Sequence, residues 1–326
     1  MNSRSNEQRL DQLRREAATR GVVDGNGVDV AGGPIPRRPG YYGQPVVKPP
    51  VWTWEIPIYF FIGGLAGMSA VIAAAAAIFH EDEIARTAMW LAAAGVITSP
   101  ILLILDLGRP RLFINMLRVF KPQSAMSMGV WILTFFAAVV IPGVIGLELH
   151  RAQFFSGVGD ELMRIAVGVC IAASAMFGML LATYTGVLIG ATAIPAWFLH
   201  RTLLPVHFGI AGLGSAAAVL ELLGHRVPAL NALGLFAALM ETILMIWLSV
   251  DRHGLADNAC HHGLSGWLIR FGELFSGAMS LVLRFLGFVP VAGICFIVGA
   301  LVSRFGWLAV GKVSGRDAEA VFASQQ

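Results

Sequence analysis

Seven long apolar runs, separated by short polar stretches, dominate the hydropathy pattern of the chain. A window of roughly 19 residues places these runs at about 55–78, 85–105, 126–147, 165–190, 204–223, 229–249 and 290–310. Each run is long enough to cross roughly 30 Å of hydrocarbon as an α-helix that rises about 1.5 Å per residue. The pattern therefore predicts an all-α, polytopic membrane protein.

An eighth run, from Ser265 to Phe288, gives an ambiguous signal. It carries Arg270, Glu273 and Arg284 among its apolar residues. Such a pattern suits an amphipathic helix that lies in the membrane interface as well as a span with a polar lining. The sequence alone thus predicts seven clear spans and one ambiguous one.

Composition supports the membrane class and restricts the cofactors. The 326 residues are 56% hydrophobic and only 13% charged, and the mean hydropathy of +0.72 lies far outside the usual range of a soluble domain. The three cysteines, Cys170, Cys260 and Cys295, are far apart and have no CxxC spacing, so neither an iron–sulfur cluster nor a zinc site is expected. No two helices each carry a histidine at mid-membrane depth, so haem is not expected either. No nucleic-acid partner is predicted.

The first 50 residues differ from the rest in composition. They are polar and charged up to about Thr19 and then rich in glycine and proline. A disordered tail is one interpretation. An extended arm that lies along a partner subunit is the favoured one, because Tyr41-Tyr42 and the proline-rich stretch can contact a partner but cannot form a core. We therefore divide the chain into an arm at 1–50, a transmembrane domain at 51–312 and a tail at 313–326.

Lysine and arginine are concentrated in the arm and in the second connecting loop. By the positive-inside rule, short loops rich in these residues face the cytoplasm. The rule predicts that the N-terminus is cytoplasmic, together with the loops at 106–124, 190–203 and 251–264.

Ionisable residues gather where the first run begins and the second ends. Asp106 and Arg109 terminate the second run, and charges at the mouth of a membrane helix are costly unless they face a partner or a wet cavity. Glu55 and Tyr59, four residues apart at the start of the first run, share one helix face. Both groups should emerge on the same side of the membrane, so they form a candidate site.

Small and aromatic residues near the start of the first run have simpler interpretations. Gly63 and Gly67 form a GxxxG pair, which lets a neighbouring helix approach closely and indicates packing and not chemistry. Trp52 and Trp54 are expected to act as anchors at the membrane interface.

Several motifs stand out along the chain: Trp-x-Trp-Glu-x-Pro-x-Tyr-Phe-Phe-x-Gly-Gly-x-Ala-Gly at 52–67, Leu-Asp-Leu-Gly-Arg-Pro at 105–110, Ser-Ala-Met-Ser-Met-Gly at 124–129, the stretch from Tyr184 to Trp197, and Arg304-Phe305-Gly306. Together they resemble the motifs of the NrfD/polysulfide reductase membrane-subunit family. The resemblance covers about residues 50–320.

The resemblance implies a subunit of eight transmembrane helices in two four-helix bundles, located in the bacterial inner membrane. It implies that this subunit exchanges electrons with membrane quinone or quinol. The expected partners are a ferredoxin-like iron–sulfur subunit, docked over the 106–124 loop, and a molybdopterin catalytic subunit. Eight helices also favour a span for the ambiguous eighth run.

Quinone reduction places two electrons and two protons on a flat, apolar molecule, so its pocket needs a proton donor and aromatic walls. Glu55, Tyr59 and Asp106 are the candidate donors. The candidate walls are Trp54, Phe60 and Trp131. The resemblance places the quinone near the start of the first helix, the end of the second and a tyrosine of the fourth, which adds Tyr184.

Several of these residues also have a purely structural interpretation. Asp106 and Arg109 could form a salt bridge or a helix cap that ties the loop to the membrane surface. Tyr184 could be a core tyrosine whose hydroxyl is satisfied. Arg201 and His200 could line the pocket or meet lipid headgroups, and we favour headgroups for His200.

Three ionisable residues, His207, Glu221 and Glu241, lie within the fifth and sixth runs. His207 and Glu221 share nearly one helix face and are separated by roughly 21 Å along the axis, and an antiparallel sixth helix would bring Glu241 between them in depth. The functional hypothesis is a proton ladder from His207 through Glu241 to Glu221, which connects the quinone site with the far side of the membrane. The structural alternative is a set of interhelical hydrogen bonds that only fix the packing.

A secondary transporter or a passive membrane anchor is the rival class. Transporters usually contain paired broken helices in two matching halves, and no such repeat is visible. A passive anchor would have no need of Glu55, Tyr59 and Asp106 at one face. We therefore predict a quinone-reactive subunit of an oxidoreductase complex that carries no redox metal of its own.

Overall fold

The computed structural model describes residues 47, 52–107, 113–250 and 258–323, and these residues form helices and no strand. In chain order the helices are α1 (Glu55–Ile78), α2 (Asp82–Asp106), α3 (Phe113–Met116), α4 (Ala125–Arg151), α5 (Val158–Gly190), α6 (Pro195–Leu199), α7 (Leu203–Leu222), α8 (Pro228–Val250), α9 (Asn258–His261), α10 (Gly263–Leu274), a π-helical turn (Phe275–Met279), α11 (Ser280–Phe285), α12 (Val289–Ser314) and α13 (Ala318–Ala323).

Seven of the described helices are long and apolar enough to cross a membrane: α1, α2, α4, α5, α7, α8 and α12. They correspond one for one to the seven apolar runs. The chain is therefore an all-α, multi-pass membrane protein, as the hydropathy pattern predicts. The predicted arm lies outside the described residues apart from Val47, which packs against the core.

The eighth run is one continuous helical segment in which α10, the π-helical turn and α11 follow each other without a break. It packs along α8 and α12, and its Glu273 and Arg284 are buried. These two charges thus face other helices, which is not the arrangement of an amphipathic helix lying on a membrane surface. That this segment spans the membrane stays a prediction.

For description we divide the long helices into two groups, and that they form two separate four-helix bundles stays a prediction. The first group contains α1, α2, α4 and α5, and the second contains α7, α8, α12 and the segment from α10 to α11. Helix α1 contacts α2 and α5 in its own group and α7 and α12 in the other. We call the end at which α1 begins and α2 ends the proximal end, and the opposite one the distal end. Which end faces the cytoplasm stays a prediction.

Glycines on α1 let the backbones of two neighbouring helices approach closely. A Cβ atom on Gly67 would lie 2.2 Å from the carbonyl oxygen of Gly178 on α5, and one on Gly212 of α7 would lie 2.8 Å from the carbonyl oxygen of Gly64. Gly67 thus has the packing role predicted from the GxxxG pattern. Gly63 does not, because its nearest neighbour is the Tyr59 ring at 3.6 Å; Gly64 provides the second close approach.

Replacement of Gly178 by alanine should lower the thermal stability of the chain, because the new methyl group would collide with the backbone of Gly67. Overpacking of this kind costs about 1–3 kcal/mol. The matched control is Gly168→Ala on the same helix, where a Cβ atom would meet nothing within 4 Å. Thermal unfolding of the purified chain in detergent gives the comparison. An equal or higher melting temperature for Gly178→Ala than for Gly168→Ala would contradict the packing argument.

Candidate functional site

A cavity of about 90 Å³ opens at the proximal end of the first group, among α1, α2, α3, α4 and α5. Its polar side chains are Trp52, Tyr59, Asp106 and Tyr184, and the rest of its wall is formed by Ile56, Phe60, Leu103, Leu107, Phe113, Met116, Met126, Gly129, Val130 and Leu188. Apolar walls with a few placed polar groups are typical of sites for small apolar ligands.

The serine-rich start of α4 shapes one wall of the cavity. Ser124 caps the helix, since its hydroxyl oxygen accepts the backbone N–H of Ser127 at 3.4 Å. The Ser127 hydroxyl oxygen in turn accepts the backbone N–H of Lys121 at 3.0 Å, which fixes the preceding loop to the helix. This local structure places Met126 and Gly129 at the cavity.

Asp106 is the last residue of α2 and faces the cavity half-buried. The helix dipole disfavours a carboxylate at a C-terminal end, so Asp106 needs hydrogen-bond donors there. Thr53 supplies two of them: its hydroxyl lies 2.8 Å from Asp106 Oδ1 and its backbone N–H lies 3.3 Å from the same oxygen. Arg109, the predicted partner in the loop, lies outside the described residues.

Glu55 reaches the site through the same threonine. The Thr53 hydroxyl is hydrogen-bonded to Glu55 Oε2 as well as to Asp106. Glu55 itself does not belong to the cavity wall. Of the three predicted donors, the structure thus brings Tyr59 and Asp106 into the wall and holds Glu55 behind Thr53. The sequence pattern did not mark Thr53, because a lone threonine before a helix has no distinctive signal.

The two tyrosines of the wall differ in what their hydroxyls do. The Tyr184 hydroxyl donates to the backbone carbonyl of Ala125 at 2.5 Å, and its ring covers Gly129, where a Cβ atom would lie 2.1 Å from the ring. Tyr184 is therefore clamped in place, as its structural interpretation predicts, while it also lines the cavity. The Tyr59 hydroxyl makes no hydrogen bond within the described part of the chain, so it can still bind a ligand.

The aromatic walls only partly match the predicted ones. Phe60 lines the cavity, but Trp54 is 58% exposed and Trp131 packs against Phe120, with ring centroids 5.9 Å apart, outside the wall. Trp52, which was expected to be an interfacial anchor, takes their place.

Trp52 also connects the cavity to the second group. Its ring stacks on Trp197 with centroids 5.7 Å apart and planes inclined by 18°. Trp197 donates its indole N–H to the carbonyl of Trp307 on α12 at 2.8 Å. One wall of the cavity is therefore braced by the second group.

The residues between α6 and α7 lie outside the cavity. The Arg201 guanidinium lies over the Phe198 ring, 4.5 Å from its centroid. The expectation that His200 meets lipid headgroups is wrong: His200 is 1% exposed and packs against Trp307, with ring centroids 5.5 Å apart.

A separate cluster of ionisable residues is buried between α7, α8 and α12. His207 Nδ1 lies 3.0 Å from Glu241 Oε2, and His207 Nε2 lies 2.9 Å from the hydroxyl of Ser303. Arg304 stacks on the ring of Phe208, 3.7 Å from its centroid. Neither carboxylate oxygen of Glu241 makes a well-aligned hydrogen bond to a described residue, and the same is true of the Nε and Nη1 atoms of Arg304. The cluster therefore has unused hydrogen-bonding capacity.

Glu221 lies in a different cluster near the distal end. The Arg284 guanidinium donates to both of its carboxylate oxygens, at 2.9 and 2.8 Å, and also to the side-chain oxygen of Asn231 at 2.9 Å. Glu221 and Asn231 also line a distal cavity of about 450 Å³. Arg284, one of the charges noted in the ambiguous eighth run, thus has partners that the sequence did not identify.

The three residues of the predicted ladder therefore fall into two clusters. Glu241 is in contact with His207, whereas Glu221 is bonded to Arg284, and the depth of Glu241 between His207 and Glu221 stays a prediction. The predicted proton ladder is interrupted between the His207–Glu241 pair and Glu221. Fourteen residues of α7 separate His207 from Glu221, which corresponds to roughly 21 Å.

The sequence of the chain is similar to a known protein and to a family model. Protein NrfD of Escherichia coli (strain K12) is 26% identical over 186 residues, a stretch that covers 52% of this chain and 58% of that protein. The chain thus matches little more than half the length of this curated relative. Residues 44–313 match the family model described as "Polysulphide reductase, NrfD". Because that match covers most of the chain, the protein belongs to the NrfD/polysulphide reductase family.

Proposed function

We propose that the protein is the quinone-reactive integral membrane subunit of a molybdopterin/iron–sulfur oxidoreductase complex. In this role it exchanges electrons and protons between a partner iron–sulfur subunit and the membrane quinone pool. The proposal is supported above all by the proximal cavity, in which a carboxylate and a tyrosine hydroxyl face a space with aromatic and aliphatic walls. Its partners and its place in the bacterial inner membrane are parts of the same proposal.

The residues of the cavity suit a quinone headgroup. When bound, quinone accepts or releases two electrons together with two protons. Phe60 and Trp52 offer flat surfaces for the ring, and Asp106 and the Tyr59 hydroxyl can hydrogen-bond to its carbonyl oxygens and hold or release a proton there.

The size of the cavity requires its wall to adapt. About 90 Å³ is less than the roughly 300–1,000 Å³ of common ligand sites. The wall contains Met116 and Met126, and Met126 is 50% exposed. Methionine side chains are flexible and adjust readily to a ligand, so a quinone ring can enter by displacing them.

The loop that closes the cavity also suits the docking of a partner. Phe113 and Met116 face inward, while Ile114, Val119 and Phe120 are exposed. An iron–sulfur subunit bound over this loop would bring its cluster close to the cavity, because only the loop separates them.

We further propose that the His207–Glu241 pair carries a proton within the second group. A buried carboxylate without well-aligned donors binds a proton or water readily. Glu221, at the distal cavity, would connect this pair with the far side, and ordered water would have to bridge the gap between them.

Asp106→Asn should abolish quinone-coupled electron flow while the complex stays assembled, because the amide cannot release a proton. Loss of a general acid or base typically lowers a rate about 10²–10⁴-fold. The measurement is the reduction of the partner's iron–sulfur clusters by 2,3-dimethyl-1,4-naphthoquinol in the purified complex, followed by electron paramagnetic resonance. Asp82→Asn, at the exposed opposite end of α2, is the matched control. Retained electron transfer in Asp106→Asn would defeat the assignment.

The two tyrosines should respond differently to phenylalanine. Tyr59→Phe should lower quinol oxidation in the same assay, since it removes the hydroxyl that has no partner within the described residues. Tyr184→Phe should mainly lower the melting temperature, because it removes a hydrogen bond worth about 1 kcal/mol and leaves the ring in place. Equal effects of the two substitutions on electron transfer would show that the hydroxyls are not distinguished as the geometry predicts.

Glu241→Gln should stop quinone-dependent proton movement across sealed vesicles while electron transfer continues, because glutamine cannot carry the proton. The pH change inside the vesicles, measured with a fluorescent dye, tests this. Glu161→Gln, which alters an exposed carboxylate at the distal end of α5, serves as the control. An unchanged pH signal in Glu241→Gln would rule out the ladder.

A further inference from the structure

One hydroxyl group joins the two carboxyl groups of the proximal site. The Thr53 Oγ1 atom lies 2.8 Å from Asp106 Oδ1 and is also within hydrogen-bond distance of Glu55 Oε2. The two carboxyl groups lie far apart in the sequence, since Glu55 begins α1 and Asp106 ends α2. Thr53 is the residue that brings them into one hydrogen-bonded chain.

The number of available protons restricts which groups can donate in these hydrogen bonds. A threonine hydroxyl has a single proton to donate, and an ionised carboxylate can only accept. With two ionised carboxylates the Thr53 hydroxyl would have to share its single proton between them, whereas both contacts are full hydrogen bonds when one carboxyl group donates a proton to Oγ1. Asp106 Oδ1 already accepts the backbone N–H of Thr53, whose direction is fixed. The relay proposed below therefore takes Glu55 as the donor to Thr53 and Asp106 as the acceptor from it.

The position of the cavity shows which of the two carboxyl groups faces the ligand. Asp106 lines the cavity, whereas Glu55 does not. Thr53 is exposed and Glu55 is only half-buried, so Glu55 can exchange protons with water. The chain thus runs from the aqueous side through Glu55 and Thr53 to the carboxyl group that faces the ligand.

We propose that Thr53 is a positioning residue that relays protons between Glu55 and Asp106. The inference rests on the proposed quinone chemistry at the cavity. When Asp106 has given its proton to a quinone oxygen, the O–H bond of Thr53 breaks and a new O–H bond forms on Asp106. The proton of Glu55 moves to Thr53 at the same time, and Glu55 regains a proton from water. The electrons come from the partner's iron–sulfur cluster, and quinol oxidation runs every transfer in reverse.

Two substitutions separate the hydroxyl from the shape of the side chain. Thr53→Val keeps the branched shape and the backbone N–H that bonds to Asp106 but removes the relay. Thr53→Ser keeps the hydroxyl. In the purified complex, Thr53→Val should lower the maximal rate of cluster reduction by 2,3-dimethyl-1,4-naphthoquinol at least tenfold, with an unchanged half-saturating quinol concentration. Its solvent deuterium isotope effect should rise, because proton transfer becomes rate-limiting, and Thr53→Ser should stay within about threefold of the wild type.

The melting temperature and ligand binding complete the test. A purely structural role would lower the melting temperature of Thr53→Val without raising the isotope effect, and that result would overturn the relay. A wild-type rate in Thr53→Val, while Asp106→Asn is inactive, would overturn the relay alone. Failure of the wild-type chain to bind the quinol analogue 2-heptyl-4-hydroxyquinoline N-oxide, together with an active Asp106→Asn, would overturn the quinone site and the relay with it.

Discussion

The architecture depends on how closely α1 approaches its neighbours. Within a membrane, lipid tails are as apolar as the side chains, so helices associate through close van der Waals packing and not through a hydrophobic driving force. Gly67 against Gly178, and Gly64 against Gly212, bring backbones of α5 and α7 into contact with α1. Helix α1 thereby joins the two groups of helices, and its first two turns supply Tyr59 and Phe60 to the proximal site.

Burial of charge is the second constraint, and the second group of helices meets it in two ways. Arg284 is held by Glu221 and Asn231 through three hydrogen bonds, which is how a fixed structural pair is built. His207 and Glu241 are in contact, yet the carboxylate lacks well-aligned donors among the described residues. An incompletely satisfied buried carboxylate is costly, and this observation is why the proposed proton role is assigned to the His207–Glu241 pair more than to Glu221.

The hydropathy pattern was sufficient for the class of fold and for the seven spans, because bilayer thickness dictates the length of an apolar run. It was also sufficient to single out Tyr59 and Asp106, which line the cavity, since ionisable or hydroxyl-bearing residues stand out in an apolar sequence. Thr53 was missed because its role depends on two carboxyl groups 2 and 53 positions away. The partner of Arg284 was missed because helix rotation decides it, and a π-helical turn lies between Glu273 and Arg284.

Among the described residues, a row of aromatic rings lies between the proximal cavity and the His207–Glu241 pair. Trp52 lines the cavity and stacks on Trp197, which is hydrogen-bonded to the backbone of Trp307, and the Trp307 ring lies 6.3 Å from that of His207. Aromatic rings do not conduct protons. Under the proposed function, protons that enter or leave at Asp106 would exchange at the proximal end, through Thr53 and Glu55. The proposal then treats the proximal site and the His207–Glu241 pair as separate proton-carrying units, which are connected through the packing of these tryptophans.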